Sequence, residues 1–166
     1  MTHLFHKPEK IDYEKRGMVH FILFHSYLIF FIAIVLGVIL DTFLKDKMFS
    51  GNIYSYIGFT MVMIGSIIIY WAQKTSSNYK QKTKKNESMS QFEFGPYKYL
   101  RHPTHLGLLI MTFGFSLMIN SFFGIILVIL AYIYTRLFSI KKQEKILEKK
   151  HGEIYSSYKK KVKDWI

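Results

Sequence analysis

The chain has 166 residues, half of them apolar, and a formal net charge of +12. That length is enough for one domain. The absence of cysteine excludes disulfides, zinc–thiolate centres and a cysteine nucleophile.

Apolar and charged residues fall in separate blocks instead of alternating at helical or strand period. This pattern predicts an all-α integral membrane protein, a single membrane domain over 1–166 with about four transmembrane helices. Residues 1–17 are polar and of mixed charge. The apolar run that follows is too long for a signal-peptide core and lacks a small-residue cleavage site, so it is read as a retained span. The first two spans are expected within 18–73, at 18–40 and 53–73, each near the roughly 20 residues needed to cross a hydrocarbon core. Residues 104–140 are expected to form a tight helical hairpin, with Asn120 and Ser121 dividing 104–119 from 121–140.

Four Lys/Arg precede the first span, two lie in 41–52, seven in 74–101 and ten from 136 onward. Four spans put 21 of the 23 basic residues on one side with both termini, which the positive-inside rule makes the cytoplasm. The expected location is an integral membrane, the inner membrane if the source is bacterial. Topology accounts for the charge, so nucleic acid is not an expected partner. Most of the tail lysines, including Lys141, Lys142, Lys145 and Lys159 to Lys161, are assigned to attraction by an anionic leaflet.

Residues 74–103 are expected to form a cytoplasmic loop, solvated over 74–91 with scope for partial helix. Gly95-Pro96 marks a turn within it. Pro103 then opens a helix, where its missing N–H costs little. The helix start beside Arg101 and His102 suits an anionic or carboxylate-bearing ligand. An arginine and two histidines at a membrane edge are costly without partners, which makes 95–107 a candidate functional site. Residues 141–166 form a cytoplasmic tail. It continues the last span as a helix, with Gly152 as its stop. Tyr155, Tyr158, Val162 and Trp165 recur at helical spacing beyond it, as one aromatic stripe that packs on a neighbour, lines a pocket, or does both. His20 and His25 lie five apart, about 140° around a helix, and are not read as metal ligands.

Gly95-Pro96-Tyr97, Arg101-His102-Pro103 and Gly107 resemble the signature of the isoprenylcysteine carboxyl methyltransferase and phospholipid methyltransferase group. That signature reads G-P-Y-x-x-x-R-H-P-x-Y-x-G. The group's second signature resembles Gln143-Glu144, Leu147, His151-Gly152, Tyr155, Tyr158 and Val162, with a terminal Ile166, at matching spacing. The resemblance covers about 95–166. His105 stands where the group has Tyr, Gln143 where it has Glu, and His151 where it has an aromatic residue.

The resemblance implies a membrane methyltransferase using S-adenosyl-L-methionine and a small lipophilic acceptor, with no metal. It implies that Arg101 meets the cofactor carboxylate, Glu144 its amino group, and His102 and His105 supply hydrogen bonds. Backbone groups at Leu106 and Gly107 would meet the adenine, Pro103 would also belong to the cofactor site, and Tyr97, Tyr155 and Tyr158 would wall the pocket. Arg101, His102 and His105 are the expected catalytic residues. A carboxylate acceptor needs no base, whereas an amine or thiol would use His102 or His105. Three alternatives stay open: a phospholipid, amine or thiol acceptor, a nicotinamide-dependent membrane reductase, and a non-catalytic relative.

Overall fold

A computed structural model describes residues 8–44, 52–83 and 94–162. The expectations resting on 1–7, on Lys45 and Lys47, on 84–93, and on Trp165 and Ile166 lie outside the described residues, as does the side chain of His151. The described residues are helical, in the order α1 (Pro8–Leu44), α2 (Ile53–Thr83), α3 (Pro103–Met118), α4 (Phe122–Tyr134), α5 (Lys141–His151) and α6 (Glu153–Lys161). A 3-10 turn at Gly95–Lys98 precedes α3, and a π-helical segment, Thr135–Ile140, joins α4 to α5 without a break.

Three helices are long and apolar enough to cross a bilayer: Phe21–Leu44, Ile53–Asn78 and Phe122–Lys149. The fourth, α3, is shorter, at 16 residues. Both long N-terminal helices outrun their apolar cores. α1 begins at Pro8, and α2 continues to Thr83 through the first part of the expected loop. Helix propagation needs only favourable backbone bonding and continues past the point where apolar side chains stop.

The bundle pairs α2 with α3 and α1 with α4. Glycines set the first pairing. A Cβ on Gly65 would lie 2.6 Å from the Gly107 carbonyl oxygen, and one on Gly58 would lie 2.5 Å from that of Gly114. The two contacts run antiparallel, seven residues apart on each helix, so the backbones approach as closely as they do because no side chain intervenes. Gly37 meets the backbone of Gly124 in the same way where α1 crosses α4. Between the pairs lies a core of Phe30, Ala33, Leu108, Val128 and Ala131. The outer surface carries exposed Phe24, Phe31, Ile39, Ile67 and Ile129, as expected of helices facing lipid.

Several polar groups inside the bundle find partners within it, as a bilayer favours. Ser26, Thr112 and Ser116 return hydrogen bonds to carbonyls four residues back, at 3.1, 2.8 and 3.1 Å. At the α3–α4 junction Asn120 adopts φ 57°, and Ser121 caps α4 by accepting from Gly124 N at 2.9 Å. Asp41, near the end of α1, accepts from the Ser121 hydroxyl and from Phe123 N. Ser55 donates to the Met118 carbonyl at 3.0 Å, tying the start of α2 to the end of α3. The expected hairpin is thus present, fastened at its turn by α1 and α2.

Candidate functional site

The other end of the bundle holds the candidate site. Gly95 has φ 60°, and any Cβ there would strike the Thr75 side chain on α2, so the turn sits against α2 only with glycine at this position. Within the turn, Pro96 accepts from Tyr99 N and Leu100 N at 3.1 and 3.0 Å. This reverses the chain and delivers Arg101 and His102 to the start of α3. Pro103 occupies the first helical position. His102 stands at the N-cap position, but its ring makes no capping bond and turns toward the tail.

Glu144 on α5 is where the pieces meet. Its Oε1 accepts from Arg101 Nη1 at 2.8 Å and lies 3.2 Å from His102 Nε2. Its Oε2 pairs with Lys159 Nζ of α6 at 2.9 Å. The arrangement is largely sheltered: His102 is 4% exposed, and the side chains of Arg101 and Glu144 are 10% and 12% exposed. Lys159 also pairs with Glu148 at 3.0 Å, and these hydrogen bonds, that to Glu144 foremost, hold its ammonium above the usual lysine value. On sequence grounds Lys159 belongs with the lysines drawn to an anionic leaflet, and the structure places it instead against Glu144 and Glu148. Within a run of three lysines nothing local distinguishes it. Its only cue is its place directly after Tyr158 of the second signature.

Two of the three positions that depart from the methyltransferase signatures touch each other. His105 Nε2 lies 3.1 Å from Gln143 Oε1. An amide oxygen accepts only, so this pairing puts the proton on Nε2 and leaves Nδ1 as an acceptor. Nδ1 is buried, with no hydrogen-bond partner among the described residues, in a side chain 2% exposed. The rings of His102 and His105 stand edge to face, 6.0 Å apart.

The π segment helps to aim these tail residues. A π turn holds more residues per turn than an α turn, so the helix beyond it is rotated by about 100° for each residue inserted. Gln143 and Glu144 follow within four residues of its end and face α3 as a result.

The aromatic stripe closes the site from the far side. Gly152, at φ 54°, ends α5, and α6 folds back with Tyr155 and Tyr158 buried against Leu147 and Val162. The Tyr158 hydroxyl donates to the Tyr97 carbonyl at 2.7 Å, linking the second signature to the first. Tyr97 is half-buried and hydrogen-bonds the Thr104 side chain. Burial raises the phenols of Tyr155 and Tyr158 above the usual tyrosine value. The charge of Glu144 adds to the effect at Tyr155, and Tyr97 adds to it at Tyr158.

Thus Arg101, His102, His105, Glu144, Tyr97, Tyr155 and Tyr158 converge, with Pro103 buried at the helix start. Leu106 and Gly107 stand differently. Leu106 N–H is committed to the His102 carbonyl at 3.2 Å, and Gly107 is buried against Ile69 and Gly65 of α2. A lateral groove of about 520 Å³ lies about two turns along α3 from His105, lined by apolar side chains that include Phe31, Val35, Met111 and Phe115.

No curated protein and no solved structure matches the chain. One family model does, over residues 6–162, and its description is a protein of unknown function, DUF1295. With nearly the whole helical bundle inside that match, the chain belongs to the DUF1295 family.

Proposed function

We propose that this chain is a membrane-embedded S-adenosyl-L-methionine-dependent methyltransferase acting on a small lipophilic acceptor. In the proposed topology the site and both termini face the cytoplasm, in the inner membrane if the cell is bacterial. One observation carries the reading: Arg101 and His102 of the first signature meet Glu144 of the second, more than 40 residues away, in one sheltered cluster.

The residues fit the group they would hold. An amino-acid moiety is a zwitterion, and a guanidinium beside a carboxylate is its complement. Its carboxylate would take Arg101 and its ammonium would take Glu144, with Lys159 retained by Glu148. When bound, S-adenosyl-L-methionine supplies a methyl group on a positively charged sulfur, a leaving group that is already activated. The chain's own residues then have to align the acceptor and exclude water. Tyr155 and Tyr158 close the tail over the cluster and restrict water access to it. The apolar groove beside α3 supports a lipophilic acceptor arriving sideways from the bilayer.

An amine or thiol acceptor would need a base to take its proton, a step that a carboxylate does not require. His105, whose Nδ1 is buried without a hydrogen-bond partner among the described residues, is the candidate for that role.

The test is calorimetric titration of the purified protein in detergent with S-adenosyl-L-methionine. Saturable binding is expected, weakened at least tenfold in Arg101→Ala and in Glu144→Ala. Absence of binding by a folded protein would favour a non-catalytic member, with the Glu144 cluster acting as a structural clamp. Binding of NADPH instead would favour a reductase.

A further inference from the structure

On another side of the same helix, where α1 runs past the π segment, lies a second groove of about 570 Å³. Its character changes along its length. Phe21 of α1 and Leu137 and Phe138 of the π segment provide exposed apolar walls. Lys141, Lys142 and Lys145 stand together at the start of α5, all exposed. Among the described residues, no carboxylate lines the groove. Glu144, Arg101, His102 and Lys159 are not among the groove's lining residues, and Lys142, two residues before Glu144 on α5, points about 160° away from it.

We propose that this groove is a binding site for an anionic glycerophospholipid of the surrounding bilayer. Three ammonium groups within about one helical turn, with no acid among the described lining residues, complement a phosphate-bearing headgroup. The apolar walls continue from them along α4, whose exposed Ile129, Leu130 and Ile133 face lipid and leave room for an acyl chain. The ligand class follows from this sequence of charge then aromatic wall. A free anion would use only the lysines, and a zwitterionic lipid would set a choline ammonium against three like charges. The inference is independent of the methyl-transfer reading, since none of its residues belongs to the Glu144 cluster.

Native mass spectrometry of the full chain in a neutral detergent tests it, with dioleoylphosphatidylglycerol, dioleoylphosphatidylcholine and inorganic phosphate as probes. One saturable phosphatidylglycerol per chain is expected, bound at least tenfold more tightly than phosphatidylcholine, with phosphate failing to displace it. The triple variant Lys141→Gln, Lys142→Gln, Lys145→Gln should lose at least tenfold in affinity. The charge-matched control Lys149→Gln, Lys160→Gln, Lys161→Gln, at exposed positions elsewhere, should lose less than threefold. Leu137→Trp, which fills the groove and keeps every lysine, should also weaken binding. Equal losses in the two triple variants would reduce the effect to general surface attraction and overturn the proposal. So would equal affinity for the two lipids, displacement by phosphate, or unchanged binding in Leu137→Trp.

Discussion

The Glu144 cluster lends itself to a double-mutant cycle with Arg101→Met and Glu144→Leu. Glu144→Leu removes the carboxylate that Arg101 and His102 share in a place where their side chains keep only a tenth or less of their exposure, while Lys159 retains Glu148. Breaking a buried ion pair from one side costs roughly 3–5 kcal/mol, and the remaining exposure lowers this to about 2–4 kcal/mol. Arg101→Met should cost less, about 1–2 kcal/mol, because Glu144 still has His102 and Lys159. In the double variant neither charge of the pair is stranded, so its cost should fall below the sum by at least about 1 kcal/mol. Equilibrium unfolding in mixed micelles, followed by tryptophan fluorescence, measures the cycle. Additivity within about 0.5 kcal/mol would refute the view that Arg101 and Glu144 act as a unit, and so would a larger cost for Arg101→Met than for Glu144→Leu.

Closer contacts elsewhere make further measurements decisive. Gly65→Ala places a Cβ 2.6 Å from the Gly107 carbonyl and should destabilise the bundle by about 1–3 kcal/mol in the same assay. Unchanged stability would mean that α2 and α3 are not locked through their glycines. Asp41→Ala removes the acceptor for Phe123 N and the Ser121 hydroxyl and should cost about 1–2 kcal/mol. In alkaline spectrophotometric titration, Tyr155 and Tyr158 should be among the last of the twelve tyrosines to ionise, and Tyr155→Phe with Tyr158→Phe should diminish that late phase. Raised folded values for these phenols and for Lys159 mean that stability is complete below the unfolded values, near 10, and declines as pH climbs from there through the folded ones. A fluorescence-monitored pH series that shows α6 docking strengthened above pH 10 would contradict this sign. Finally, deleting Leu137 should convert the π turn to α geometry and rotate α5 by about 100°, removing Glu144 from Arg101 at a cost similar to that of Glu144→Leu.

Much of the fold is legible in the sequence because it is set locally. Runs of apolar residues long enough to cross a bilayer specify helices whatever their neighbours are, and Pro103, Ser121 and Gly152 mark helix boundaries through their own backbone or capping chemistry. The candidate site was legible as two groups of residues and as an aromatic stripe, since Tyr155, Tyr158 and Val162 share a face by helical period alone. The extension of α2 through Thr83 was less legible, because polarity marks the end of a span and not the end of a helix.

The sequence by itself determined that this is an all-α membrane chain with an Arg-His cluster before one short helix and an acid in the tail. Only the tertiary structure decided that Arg101, His102 and Lys159 share Glu144, that His105 pairs with Gln143, and that Gly107 faces α2. Each of these depends on the phase of one helix against another, across 15 residues for Lys159 and Glu144 and across about 40 for the rest. That phase depends on backbone approach at small residues and on a π turn at Thr135–Ile140, whose residues carry no mark of it. Hydropathy reports how long a span is and which medium surrounds it. It does not report the rotation that brings a carboxylate to a guanidinium.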